Sequence, residues 1–231
     1  MTSTEELVAN ARPTTAYVAD AASGDAPGVV LYHAWWGLND DVRAFADRLA
    51  ESGFFVVAPD LYRGSSTAEI EEAKRLTRSV DEADADAIAL AVIDRLADRR
   101  NATGRIGAVG FSFGAHWSMW SAAQRDIVAA SVVYYGTTGG PFLAEAEVPV
   151  QGHFAADDPF EGPEDVAAFE GALRAAGREV TIHTYPGTGH WFAEPSRDAF
   201  RPEAADQAFE RTIAFLHANL PTRTSVEGTP R

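Results

Sequence analysis

The chain contains no cysteine. Disulfide cross-links, thiolate nucleophiles and thiolate zinc sites are therefore excluded together, and the redox compartment cannot be read from this feature. No apolar run approaches the roughly 20 residues that a membrane-spanning helix needs. The opening, MTSTEELVANARPTT, has neither the basic nor the apolar region of a secretory signal, so a cytoplasmic protein is expected. Positive charge is also scarce: 19 Lys and Arg stand against 34 Asp and Glu, a formal charge of -15. So acidic a surface repels phosphate backbones and anionic lipids, and neither nucleic acid nor a membrane is expected as a partner. Internal repeats, low-complexity blocks and interdomain linkers are missing too.

What is present is a 231-residue chain, 46% hydrophobic, enough to bury the faces of a sheet beneath helices. One α/β domain is expected over 1–220, as a monomer or homodimer, with 221–231 as a frayed tail. Apolar runs bounded by turn signals alternate with segments of helical period, the pattern of a mostly parallel sheet with helices on both faces. Strands are expected at 14–20 (an edge strand), 28–35, 54–60, 105–112, 127–136, 148–158 and 180–187. Helices are expected at 39–53, 67–79, 82–100, 113–125, 163–177 and 203–219.

The stretch GAVGFSFGAHW, residues 107–117, raises a chemical question. An apolar strand delivers one hydroxyl, Ser112, between Gly110 and Gly114, and a helix follows. Small residues at a packing turn are the plain explanation. The G-x-S-x-G spacing in a strand–turn–helix setting points instead to a nucleophile on a sharp elbow, where side chains on the flanking positions would collide. A serine hydroxyl is a poor nucleophile unless a base takes its proton, so an acid and a histidine should follow in the order Ser, Asp, His.

His190, in YPGTGHWF, lies on a glycine-rich loop after the last expected strand and can swing over the elbow. His183 and His217 fall inside a strand and a helix, while His33, His116 and His153 precede the acid candidates and break the order. Asp157 and Asp158 both sit where the acid belongs; Asp158, before Pro159 at the strand end, is preferred, to hold the imidazole tautomer. The amide of Phe113 and one from HAWWGLND, supplied by Trp35 or Trp36, are expected to receive an oxyanion. His153 with Asp157 and Asp158 lacks a second histidine at ligand spacing, so no metal site and no cofactor are expected.

With these residues in place the chain resembles the dienelactone hydrolase family of α/β-hydrolases, across nearly all of 14–220. The landmarks are HAWWGLND, VVAPDLYRG, the elbow GFSFG, GHFAADDPF and GTGHWF. The resemblance implies an α/β-hydrolase fold of about eight strands without a large lid domain, with Ser112, Asp158 and His190 as nucleophile, acid and base and Trp35 as an oxyanion-loop donor. Three departures stand out. Ser112 replaces the cysteine of the best-known members, Ala34 replaces a glutamate in the first loop, and Glu194 replaces an arginine that binds a substrate carboxylate. Glu194 is expected to repel an anionic lactone, and Arg63 offers one positive contact, or else is a plain surface arginine. Trp36, Arg63, Phe111, Phe160 and Trp191 are the candidate substrate contacts. Of the aromatics near the catalytic loops, half are expected to line the pocket and half to be core.

The expected activity is cleavage of a small ester or lactone through an acyl-enzyme, with a neutral, apolar or aromatic substrate favoured. Two alternatives use the same residues differently. Peroxide or an alcohol in place of water as acceptor gives a perhydrolase or acyltransferase, and a silent site gives a small-ligand receptor of hydrolase fold.

Overall fold

The structure, a computed structural model, describes residues 1–21, 26–98 and 104–220; the segment read as a tail, 221–231, lies outside them. Its centre is a sheet of eight strands in the order β1-β2-β4-β3-β5-β6-β7-β8. β1 (Thr2–Ala9) and β2 (Arg12–Ala19) form an antiparallel hairpin, and β2 runs antiparallel to β4 (Phe55–Pro59). β3 (Gly28–Tyr32), β4, β5 (Ile106–Phe111), β6 (Val128–Tyr134), β7 (Val150–Ala155) and β8 (Val180–Tyr185) are mutually parallel.

The hairpin corrects the expected edge. The strand anticipated at 14–20 is second in the sheet, and β1 lies outside it. β1 escapes notice because an edge strand facing water carries little apolar signal; in TSTEELVA only Leu7 and Ala9 are buried. Its turn is made by Asn10 and Ala11, both left-handed at φ 51° and 55°. That geometry matches the right-handed twist of the flanking strands.

β3, β4, β5, β6 and β7 are buried along their whole length, as expected of parallel strands covered on both sides. Alternate residues feed separate cores. Val30 and Tyr32 face α3 (Glu82–Ala97), α4 (Ala115–Gln124) and α6 (Pro163–Ala175), whereas Val29 and Leu31 face α1 (Asp40–Glu51) and α7 (Pro202–Asn219). Helix starts follow local chemistry: Asn39 caps α1 by accepting the Val42 N–H at 3.1 Å, and prolines open α6 and α7. α2 (Ile70–Arg78) is a surface helix, and α5 (Phe142–Glu145), a single turn, was not expected, being too short to show a period. No inserted lid domain interrupts the described elements.

Strand 28–35 ends early, at Tyr32, because His33 leaves the ladder. Its Nε2 accepts the Leu61 N–H at 3.1 Å, so the proton sits on Nδ1, which donates to the Ala34 carbonyl at 2.6 Å. This fully buried imidazole ties the loop after β3 to the loop after β4, and burial lowers its pKa. All the loops that follow the parallel strands emerge at one end of the sheet, the edge at which α/β sheets build their sites.

Candidate active site

Ser112 stands at the junction of β5 and α4, with φ at +47°, in a left-handed conformation that a non-glycine residue adopts only under constraint. A single 3-10 turn, Ser112–Gly114, leads into α4. The flanking glycines are required by contact. A Cβ on Gly110 would lie 2.2 Å from the Gly114 carbonyl oxygen, and one on Gly114 would lie 2.5 Å from that of Tyr32. The second approach presses the elbow against the end of β3, which brings the loop carrying Trp35 beside Ser112. The Phe113 amide, in the first helical turn, has no intrahelical acceptor, and the Trp35 amide has none among the described residues.

His190 is carried by the loop after β8. Its Nε2 lies 2.9 Å from Ser112 Oγ and its Nδ1 lies 2.7 Å from Asp158 Oδ2, on the loop after β7. The carboxylate can only accept, so Nδ1 holds the ring proton and Nε2 presents a lone pair to the serine hydroxyl. The His190 and Asp158 side chains are 4% and 1% exposed, so this pair is shielded from water. Asp158 also fixes its own loop, because Oδ1 accepts the N–H groups of Phe160 at 2.8 Å and Glu161 at 3.1 Å. Asp157 is exposed, and its backbone N–H donates to the Thr188 carbonyl. Of the two aspartates, only Asp158 reaches the imidazole.

Trp35, Phe160 and Trp191 gather at this relay with part of their surface exposed, whereas Phe113, next to Ser112, packs its ring against Tyr62 and Trp117. Phe160, 49% exposed, sets its ring 5.0 Å from that of His190, 5.7 Å from Trp35 and 5.3 Å from Trp191. Trp191, directly after the histidine, has φ +67°, a second left-handed residue at the site. Trp36, Phe111, Trp117 and Phe192 are core instead. Two candidate contacts are corrected here. Trp36 is 1% exposed behind Trp35 and Trp191, and Phe111, 3% exposed, points into the packing of Phe45 and Tyr134 because alternation along β5 turns it away from the elbow.

Arg63 is also corrected. Its guanidinium grips Asp84 through Nε and Nη2, both at 2.7 Å, and donates to the carbonyls of Ala9, Arg12 and Pro13. It ties the β1-β2 hairpin to the loop after β4 and to α3, and the hydrogen bonds from Arg63 hold the Asp84 carboxyl below its usual range. Every donor it has is turned toward that structural work. His153 likewise binds nothing at the site. Fully buried, it bonds to Tyr185, Gln151 and Thr212.

The expected repulsion from Glu194 does not arise. This residue is 3% exposed and accepts the Tyr135 hydroxyl on Oε1 at 2.9 Å, while Oε2 has no partner. Burial pushes its carboxyl up to about 8, so it is mainly uncharged at neutral pH. Tyr135, left-handed at φ 35°, packs its ring 5.0 Å from His190. Sequence reasoning missed this pair and His33, since no spacing signals that a tyrosine at a strand end will meet a carboxyl 59 residues away.

Residues 14–220 match the model of the dienelactone hydrolase family. The chain belongs to that family. It is accordingly an ester or lactone hydrolase of α/β-hydrolase fold. Among its relatives, "Protein usf" of Aquifex pyrophilus is 30% identical over 229 residues, covering 93% of this chain and 97% of the other. A protein of Aquifex aeolicus (strain VF5) named as a carboxymethylenebutenolidase is 27% identical over 208 residues, 84% of this chain and 89% of its own. A solved structure from Klebsiella pneumoniae, named as a dienelactone hydrolase, superposes with a TM-score of 0.82 at 25% identity, over 93% of this chain and 98% of that one. No helix among the described residues is long and apolar enough to cross a membrane.

Proposed function

We propose that this family member works as a serine hydrolase of small esters or lactones, with Ser112 as nucleophile, His190 as base and Asp158 as orienting acid. The observation that carries the reading is the pair of hydrogen bonds from Ser112 Oγ through His190 to Asp158, at 2.9 and 2.7 Å, assembled from three separate loops. Ser112 Oγ attacks the substrate carbonyl while His190 Nε2 takes its proton. The oxyanion turns to the amides of Trp35 and Phe113, whose helix also directs its positive end there. Collapse expels the alcohol, protonated by His190, and leaves an acyl group on Ser112. A water molecule, activated by the same imidazole, then attacks the acyl carbon and releases the acid. Trp35, Phe160 and Trp191 give the substrate apolar walls.

The test uses a small aryl ester. Ser112→Ala and His190→Ala should each lower kcat by roughly 1,000-fold or more, and Asp158→Asn by about 100-fold or more, with far-UV circular dichroism and thermal midpoint near those of the wild type. Undiminished hydrolysis by the Ser112 or the His190 variant would refute the assignment.

A further inference from the structure

A further carboxyl at this site belongs to Glu161. It lies on the loop after β7, directly after Phe160, and Thr137 Oγ1 donates to its Oε2 at 2.6 Å. Thr137 follows Gly136, and Gly136 is pressed against the nucleophile: a Cβ there would lie 2.5 Å from the Ser112 carbonyl oxygen and 2.9 Å from its Cα. The Thr137–Glu161 bond thus sets a half-buried carboxyl beside the elbow. Burial raises its pKa above the usual carboxylate value and the Asp158 carboxylate adds to the rise, while the hydrogen bonds from Thr137 pull it back toward the ionised form.

Among the described residues no salt bridge pairs Glu161 with a basic side chain, and the arginines of this face are held by other partners. The loops that follow the parallel strands carry three basic side chains, Arg63, Arg197 and Arg201. Arg63 is bound to Asp84, Arg197 lies over the Trp36 ring at 4.2 Å and donates to the Ala68 carbonyl, and Arg201 donates to the carbonyls of Asp198 and Phe200. The exposed ring of Phe160 and the half-buried rings of Trp35 and Trp191 add π-faces, which attract cations and not anions. The chain's formal charge of -15 has the same sign.

We propose that Glu161 is the charge selector of the site, and that with the neighbouring aromatic rings it favours esters bearing an alkylammonium group and disfavours those bearing a carboxylate. This deepens the serine hydrolase reading and rests on it.

The test measures labelling of Ser112 and does not require turnover. Three fluorophosphonates of matched length, ending in trimethylammonium, methyl or carboxylate, are reacted at pH 8 and low salt, and second-order rates are read by intact mass spectrometry. The wild type should take the cationic probe faster than the anionic one by on the order of tenfold, and added salt should shrink that ratio. Glu161→Gln keeps an acceptor for Thr137 and should cut the ratio by roughly threefold or more. Glu203→Gln removes the same charge from the exposed start of α7 and should leave the ratio unchanged. Because a ratio is read, a general loss of reactivity cancels.

A wild-type ratio of one, or one favouring the anion, overturns the proposal whether or not the variant folds. A ratio that survives Glu161→Gln removes Glu161 as its source. Failure of all three probes to label Ser112 overturns the nucleophile assignment itself, and charge selection with it.

Discussion

Replacing Glu194 by glutamine tests the electrostatics of the site's interior. A carboxyl with an ordinary value of 4.5 that burial holds at about 8 keeps its proton in the fold while losing it in the unfolded chain. Between those values the unfolded state binds fewer protons than the native state, so stability falls as pH rises. The contribution is complete below the ordinary value, is lost progressively up to the folded one, and is flat beyond it. At about 1.4 kcal/mol per pKa unit, raising the pH from about 5.5 to about 8.5 should cost the wild type roughly 3 kcal/mol through this one group. Glu194→Gln keeps an oxygen to accept the Tyr135 hydroxyl, now at 2.9 Å, and has no proton to lose. Urea unfolding of both proteins at about pH 5.5, 7 and 8.5 is the assay. The two should lie close together in acid, and the variant should be the more stable by a margin that grows with pH, toward roughly 3 kcal/mol more at the top of the range than at the bottom. Parallel pH profiles for the two proteins would refute the reasoning, because they would mean that Glu194 titrates alike in the folded and unfolded chains.

Two further outcomes follow from the packing. Arg63→Leu should lower stability by about 2–3 kcal/mol, since Asp84 loses its main partner and three carbonyls lose a donor; one edge of Arg63 meets solvent, which keeps the figure below that of a fully enclosed pair. Its kcat/KM for a neutral aryl ester should match the wild type, and a selective loss of activity would return Arg63 to the site. Gly110→Ala should cost at least about 3 kcal/mol, because the new methyl would sit 2.2 Å from a carbonyl oxygen that cannot move without unwinding the start of α4. Near-native melting of that variant would show that the elbow can relax.

The parts of the fold legible in sequence were those whose signal is local. β3 to β7 read as apolar runs because each is covered on both faces, and α1 announced itself through Asn39, its acidic first turn and its apolar spacing. β1 was invisible for the opposite reason: most of its side chains face water, and its place in the sheet is set by pairing with β2. Ser112 and His190 were legible because glycines mark the turns that carry them, and the strand order of the family placed the acid at Asp157 or Asp158.

Composition and spacing alone determined the absence of thiol chemistry, the acidic surface, the alternation of strands and helices, and the short list of side chains able to form a relay. Which aspartate turns inward, the structural use of Arg63, the raised pKa of Glu194 and the placing of Glu161 beside Ser112 were decided only by tertiary structure. The physical reason is that each depends on distance and burial. A residue's type records which bonds it can make, whereas its charge and partner follow from how much water the fold leaves around it and which distant loop it meets.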